Sequence, residues 1–225
     1  SYRSSTHIHV NMCDKSFREV LGVMVAWTVV EPIFLRLMPK GRDGSMFCMS
    51  GYDCGDLGDF MDRFCQDIAR GFEHGFRPRG KYSSLNIGRL GTTNDNRGLG
   101  TLEFRIFPTS MVGAEIYKWC VWLNNLCTVV AEHQKDDSFL AFVREAEQNP
   151  MPLVYHIFGE YPIPGYEIPG LVDFGAKNAY EVARVINQHL NRKPKAAAKK
   201  KISVFNDMIM VDPMDIDVAE REAGF

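Results

Sequence analysis

Two short stretches of the chain carry residues whose types and spacing could do chemistry. Residues 6–11 read THIHVN and residues 101–106 read TLEFRI, and in both stretches polar and apolar residues alternate. A period of two is typical of a strand, so His7 and His9 share one face of the first strand, and Glu103 and Arg105 share one face of the second. Imidazole and carboxylate bind divalent metals, and a guanidinium binds anions. If the two strands are neighbours in one sheet, these four side chains converge on one site.

Each of these signals also has a purely structural interpretation. An opposite-charge pair on a solvated strand face stabilises a sheet by roughly a few tenths of a kcal/mol, and the His-x-His pair has no third ligand nearby in the sequence. The other histidines have no such spacing, and we expect ordinary surface or core roles for His74, His133, His156 and His189. The chain has no clear Ser-His-Asp or Cys-His pattern and no glycine-rich phosphate-binding fingerprint. Coordination and charge stabilisation are therefore favoured over nucleophilic catalysis.

Composition sets the class of protein that we expect. The chain has 225 residues, 45% of them hydrophobic, and a net charge of -2 with histidine neutral. That is enough for one sizeable core, and it gives no whole-chain reason to expect binding to nucleic acid or to an anionic membrane. Six cysteines lie outside any C-x-x-C pair, which is typical of reduced thiols in the cytosol. The longest apolar run, Val20–Val30, is too short to span a bilayer. We therefore expect a cytoplasmic protein.

Helical periodicity predicts the elements that must position the two strands. The first helix follows Asp14 or Ser16, which are candidate caps, and it runs to Leu37 with Pro32 as a candidate kink and Pro39 as its end. Apolar residues cover most of its circumference, so we expect a buried core helix. Further helices are predicted over residues 59–72, from 109 or 110 to 133, over 138–148 and over 178–191.

The remaining segments are predicted to be a strand, two loops and a tail. Residues 83–88 read SSLNIG, a strand with Ser84 and Asn86 on one face, and turn-rich residues 91–100 make it the hairpin partner of the Glu103 strand. The basic stretch 74–82 is either a solvated surface or an electropositive rim for phosphate or carboxylate groups. Residues 150–169 hold five prolines and are predicted to be an ordered irregular loop packed by aromatics. We divide the chain into an α+β domain at 1–192 and a basic linker with an acidic, mobile tail at 193–225.

The order of these motifs resembles the amidoligase family, a phage- and microbe-associated branch of the glutamine synthetase-like carboxylate–amine ligases. The matching pieces are THIHV at 6–10, EPIF at 31–34 with Arg42 after it, KYSSLN at 81–86, GTLEFRIF at 100–107, and the Trp-containing helix that follows, all between about Ser5 and Glu132. The resemblance implies a curved antiparallel sheet of glutamine synthetase-like type, packed against long helices. In that fold the two motif strands are neighbours that cradle ATP and two divalent metals.

Carried over residue by residue, the resemblance implies roles in metal and nucleotide binding. His7 and Glu103 would be ligands of Mg²⁺ or Mn²⁺, and His9 would contact the phosphates of ATP. Glu103 suits this chemistry, because Mg²⁺ sites draw on few carboxylates together with substrate phosphates.

The resemblance also implies roles toward the substrate. Arg105 would bind the substrate carboxylate or stabilise an acyl phosphate, Arg79 or Lys81 would contact phosphate, and Asn86 would orient the substrate. The implied reaction activates a small-molecule or peptide carboxylate with ATP, and an amine then attacks the acyl phosphate to form an amide or isopeptide bond.

Two departures from the family pattern define the alternatives. Family members carry paired glutamates and an Asp-Gly-Ser segment upstream of the His strand, whereas this chain starts after that point. We therefore expect an incomplete sheet, in a fragment, in a split subunit that needs an N-terminal half or another protein partner, or in a member without catalysis. After the Arg105 strand stand Pro108, Thr109 and Ser110, which resembles the amidoligase branch more than glutamine synthetase. The competing function is a non-catalytic interaction or structural protein, encoded by a phage, that docks a partner through residues 193–225.

Overall fold

The computed structural model describes residues 5–39, 49–51, 83–87, 90, 99–133 and 139–190. Its strands are β1 (Ile8–Asn11), β2 (Leu85–Asn86) and β3 (Thr101–Phe104). Its helices are α1 (Phe17–Leu37), α2 (Gly113–His133), α3 (Phe139–Gln148), α4 (Pro150–Phe158) and α5 (Ile168–Leu190). The predicted helix at 59–72, the basic stretch at 74–82 and the tail at 193–225 lie outside the described residues. The expected mixture of helices with a small antiparallel sheet is confirmed.

The three strands form one sheet in the order β1-β3-β2, and both pairings are antiparallel. His9 lies opposite Glu103 in the first pairing, and Asn86 lies opposite Glu103 in the second. The predicted pairing of the 83–88 segment with the Glu103 strand is thus confirmed. The central strand β3 carries the carboxylate, and a candidate polar group faces it from each side.

Helix α1 begins where the sequence predicts, because Ser16 and Glu19 form a capping box. The Ser16 hydroxyl accepts the Glu19 N–H at 3.3 Å, and the Glu19 carboxylate accepts the Ser16 N–H at 2.7 Å. These two bonds satisfy N–H groups that have no partner within the helix. Pro32 lies inside the helix, which nevertheless continues to Leu37.

The apolar character of α1 matches its central position. Among the described residues, one helical stretch, Arg18–Leu37, is long and apolar enough to cross a membrane by length and composition. Most of that stretch is buried inside the protein, and a core helix passes the same test. On one side the Trp27 ring lies 4.9 Å from those of Phe34 and Phe104, measured between centroids. On another side the backbone of Val29 approaches Gly175 of α5. Helix α1 therefore lies between the sheet and α5.

Helix α2 packs on the end of β3 through aromatic rings. Phe107 stacks on Trp119 of α2 with 4.9 Å between centroids and 18° between planes. Phe107 also meets Phe34 of α1 edge to face at 6.1 Å. Two helices thus fix the residues that follow the motif strand. Helix α2 begins slightly later than predicted. Before it, the Ser110 hydroxyl accepts the Val112 N–H at 3.0 Å.

The prediction of an irregular loop over residues 150–169 was wrong at both ends, which are helical, whereas the residues between Phe158 and Ile168 are irregular as predicted. Residues 150–158 form α4, and α5 begins at Ile168 rather than at Asn178. Prolines in the first turn of a helix are tolerated because the N–H groups that they lack would have no partner there anyway. Pro150, Pro152 and Pro169 all occupy such first turns. The aromatic packing expected for this segment is partly present. The Tyr155 and Tyr161 rings lie 6.0 Å apart between centroids, although both tyrosines and Tyr166 are exposed.

Candidate functional site

The pairing of β1 with β3 brings the two motif stretches together around the Glu103 carboxylate. His7 Nδ1 lies 2.7 Å from Glu103 Oε1, and His9 Nε2 lies 3.9 Å from the same oxygen. Arg105 Nη1 lies 3.5 Å from it. The four side chains come from stretches as far apart in the sequence as His7 and Arg105, which are 98 positions apart. They nevertheless share one face of the sheet, as the alternation predicts.

Glu103 is buried although it belongs to the polar face. The residue is only 4% exposed, and a buried carboxylate is costly unless charges and N–H donors compensate it. Its second oxygen, Oε2, accepts a hydrogen bond of 2.6 Å from the Asn86 side-chain amide. One oxygen thus faces the imidazoles and the guanidinium, and the other is held by β2. This division of partners gives the carboxylate a fixed orientation.

Hydrogen bonds from neighbouring hydroxyl groups orient both imidazoles, whose side chains are each 34% exposed. His7 Nε2 lies 2.7 Å from the Ser5 hydroxyl, and His9 Nδ1 lies 2.9 Å from the Thr101 hydroxyl. In the simplest assignment of protons, His7 Nδ1–H donates to Glu103 and the Ser5 hydroxyl donates to His7 Nε2. Such supporting bonds fix the tautomer and the ring plane of a histidine.

The environment of His7 lowers the pKa of its imidazole from the ordinary value of 6.5. Burial is the largest cause, followed by repulsion from the Arg105 cation. The Glu103 carboxylate raises the pKa, but its effect is outweighed. His7 is therefore neutral at neutral pH, and neutral imidazole is the form that binds metals.

The donor chemistry of this face fits a divalent cation, although a ready-made metal site is absent from the part of the chain that the structure describes. No group of three or more His, Cys, Asp or Glu side chains there is arranged to hold a metal ion. Two imidazoles nevertheless lie within 4 Å of the same carboxylate oxygen, and both donor types bind divalent metals. The direct contact between His7 and Glu103 would have to give way for both side chains to bind the same ion.

The structure places most of the predicted site residues together. The His7, His9, Glu103, Arg105 and Asn86 side chains form one connected group. Asn86 is buried and donates to Glu103, so its contribution to the described geometry is to hold the carboxylate; a role in orienting substrate stays a prediction. Arg79 and Lys81, the predicted phosphate contacts, lie outside the described residues, as does Arg42.

Sequence reasoning missed the two hydroxyl residues that orient the imidazoles. Ser5 lies two positions before His7, and Thr101 lies two positions before Glu103. The same alternation that placed the histidines on one face would have placed these hydroxyl groups beside them. A second missed group joins α1 to the residue before β2, where the Ser84 hydroxyl donates to the Glu31 carboxylate. A lone acidic residue directly after the apolar run of α1 was the available signal.

Comparison with known proteins leaves these observations to stand on their own. No protein-family model, curated protein or solved structure matches the chain.

Proposed function

We propose that this protein is an ATP-dependent carboxylate–amine ligase of the amidoligase type, which forms an amide or isopeptide bond through an acyl phosphate. The single observation that supports this most is the register of β1 against β3, which sets His9 opposite Glu103. That register gathers two imidazoles, a carboxylate and a guanidinium on one face. Residues of these types suit a reaction in which two of the reactants, a nucleoside triphosphate and a carboxylate, are anionic.

In this proposal the residues of β1 and β3 divide the work of binding. His7 and Glu103 hold Mg²⁺ or Mn²⁺, and His9 contacts the phosphates of ATP. The metal, when bound, would neutralise negative charge on the transferring phosphoryl group. The lowered pKa of His7 supports its part, because a neutral imidazole needs no deprotonation before it binds a cation.

Arg105 binds the substrate carboxylate or stabilises the acyl phosphate. Its side chain is 13% exposed and lies beside Glu103, so it is held in place and only part of it can meet a substrate. A guanidinium in such a sheltered position attracts an anion more strongly than one in bulk water. Asn86 orients the site, and Arg79 or Lys81 contacts phosphate in the proposed complex.

The proposed substrates are a small-molecule or peptide carboxylate and an amine, in the cytoplasm or, for a phage protein, in the cytoplasm of the host. In this proposal a protein partner adds to the sheet next to β1. Neither nucleic acid nor a membrane is a partner in this proposal.

The test of the reaction is ADP release and hydroxamate formation in the presence of ATP, Mg²⁺, hydroxylamine and a panel of amino-acid, dicarboxylic and peptide carboxylates. Hydroxylamine replaces the amine and traps an acyl phosphate. We expect both products with the wild type and their loss, by about 100-fold or more, with Glu103→Gln, because the variant lacks the anionic ligand that would hold the metal at the transferring phosphoryl group. Glu181→Gln is the matched control, since Glu181 is an exposed partner of Arg184 on α5. Equal ADP release by the wild type and Glu103→Gln would contradict the proposal.

A non-catalytic interaction protein is the second candidate, and one observation favours it. The buried carboxylate of Glu103 is compensated by His7, Arg105 and Asn86 of the chain itself, as in a purely structural network. In this alternative the segment 193–225 docks a protein partner. Its deletion should then abolish capture of that partner, whereas the variant Glu103→Gln should leave capture unchanged if it folds.

A further inference from the structure

Glu31 is a buried carboxylate within the apolar helix α1. The residue is 4% exposed, and the Gly51 N–H lies 3.0 Å and 3.1 Å from its two oxygens. The Ser84 hydroxyl donates to the same carboxylate. Glu31 thus joins three segments of the chain, namely α1, residues 49–51 and the residue that precedes β2. Hydrogen bonds to a buried charge are among the stronger ones in proteins.

Ser84 is the residue through which this carboxylate acts on the sheet. It is fully buried, and both its backbone groups are bonded, since its N–H donates to the Met49 carbonyl and its carbonyl accepts the Arg105 N–H, each at 2.7 Å. Its hydroxyl oxygen also accepts the Trp27 Nε1–H at 3.2 Å. The position of Ser84 is therefore set from α1, from β3 and from residues 49–51 at once.

Two residues further on, Asn86 holds one oxygen of Glu103. Its amide donates to Glu103 Oε2 at 2.6 Å, and the strand that carries it, β2, has only two residues. A strand of that length contributes few pairing bonds, so its register depends on contacts outside the ladder. The bonds that Ser84 makes to Glu31 supply such a contact on the helix side.

We propose that Glu31 is a positioning residue for Glu103. Glu31 fixes Ser84, Ser84 fixes β2, and the Asn86 amide then turns Glu103 Oε1 toward His7 and Arg105. Glu31 itself is held by the Gly51 N–H and by the Ser84 hydroxyl, so its effect on Glu103 passes through Ser84 and β2. The consequence for metal affinity rests on the proposed function, whereas the orientation of Glu103 does not.

The experiment measures solvent exchange of the Asn86 side-chain amide protons by NMR in the wild type, in Glu31→Gln and in Ser84→Ala. Glu31→Gln keeps the shape of the side chain but removes its charge. It also replaces one of the two accepting oxygens with an NH₂ group, which can only donate. Thr28→Val is the matched control, because Thr28 also lies on α1 and its hydroxyl donates within the helix, to the Met24 carbonyl at 2.9 Å. Chemical denaturation of each variant gives its loss of global stability. That loss is converted into the fold-increase in exchange rate that global unfolding alone would cause, and the observed increase is compared with it.

We expect exchange at Asn86 to be at least about tenfold faster in Glu31→Gln than the loss of global stability explains, since a hydrogen bond to a charged group is worth that factor or more. Thr28→Val should show no such excess. A folded Glu31→Gln protein with wild-type exchange at Asn86 would overturn the proposal. Ser84→Ala, in which Glu31 is intact, must show the same excess increase in the exchange rate at Asn86. If neither variant folds, the wild type decides: the Asn86 protons must exchange more slowly than those of exposed Asn178, which donate to the Phe174 carbonyl at 3.2 Å. Equal rates would overturn the proposal.

A second readout separates this inference from the proposed function. Binding of Mn²⁺, followed by electron paramagnetic resonance, should weaken about tenfold in Glu31→Gln, in proportion to the lost orientation of Glu103. Absence of Mn²⁺ binding in the wild type would count against the proposed function alone, and exchange at Asn86 would still decide the role of Glu31.

Discussion

At the scale of residues, the chemistry of the site is decided by the balance of forces around His7. Burial and the Arg105 cation lower the pKa of its imidazole, and Glu103 raises it. The lowering effects win even though Glu103 is only 2.7 Å away. His7 is therefore a neutral, oriented imidazole beside a buried carboxylate, which is a good starting state for binding a cation.

This balance predicts opposite effects of two substitutions on the pKa of His7. Arg105→Gln removes a repelling cation and should raise the pKa, whereas Glu103→Gln removes an attracting anion and should lower it further. Titration of the His7 Cε1–H resonance by NMR measures both shifts. A wild-type pKa above 6.5, or shifts of the same sign in the two variants, would contradict the described geometry.

Alternation in the sequence predicted which residues share a face, and the structure bears this out for His7, His9, Glu103 and Arg105. It did not predict that Glu103 is buried. The burial depends on Asn86, which approaches from another strand, and periodicity within one strand contains no information about that neighbour. For the same reason the link from Glu31 to Ser84 could not be predicted.

At the scale of elements, the position of α1 depends on a close helix crossing. A methyl group on Gly175 of α5 would clash with the Val29 carbonyl oxygen and would lie 2.8 Å from that of Thr28. Backbone atoms cannot move aside as a flexible side chain could. The Thr28 carbonyl is also the one whose helical donor is missing, because Pro32 has no N–H.

Gly175→Ala should therefore lower the free energy of unfolding by about 1–3 kcal/mol or more, as overpacking does. Gly170→Ala is the matched control on the same helix, since nothing lies within 4 Å of a methyl group there. It should leave stability unchanged or raise it by about 0.5–1 kcal/mol through the better helix propensity of alanine. Guanidinium denaturation of both variants makes the comparison, and equal effects would rule out the close crossing.

Local signals predicted some elements well and others poorly, for identifiable reasons. Helix α1 was predictable because Ser16 gives a cap and apolar residues recur along the whole segment. Helix α4 was missed because Pro150 and Pro152 were interpreted as breakers, although the first turn of a helix accommodates them. The start of α5 was placed too late for a similar reason at Pro169.

At the scale of the whole molecule, the polar face of the sheet is coupled to the stability of the fold. The pKa of His7 is lower in the folded protein than its ordinary value of 6.5. As the pH falls below 6.5, His7 is therefore protonated in the unfolded chain before it is protonated in the folded protein. The contribution of His7 to stability is therefore fully present above pH 6.5 and is lost as the pH falls from there through the lower, folded-state pKa.

Comparison of wild type and His7→Asn by chemical denaturation at about pH 7.5 and about pH 5 tests this coupling. Both proteins should lose stability at the lower pH, and the wild type should lose more, because only the wild type carries the shifted imidazole. An equal loss in the two proteins would show that His7 titrates alike in the folded and unfolded chains.

The global α+β character was predictable from the sequence, because two strand patterns stood among longer helical ones. The crossing of α1 over α5 was not predictable, since it depends on contacts between residues that are distant in the chain.

The most direct test of the proposed function is calorimetric titration of the 225-residue chain with a non-hydrolysable ATP analogue, in the presence and absence of Mg²⁺. The proposed site predicts binding at one nucleotide per chain that requires Mg²⁺ and that is lost in folded His7→Ala and Glu103→Ala proteins, but kept in Glu181→Gln. Binding that is indifferent to Mg²⁺ or to both substitutions, or an absence of binding by the wild type, would contradict the claim that His7 and Glu103 of this chain form a metal–nucleotide site.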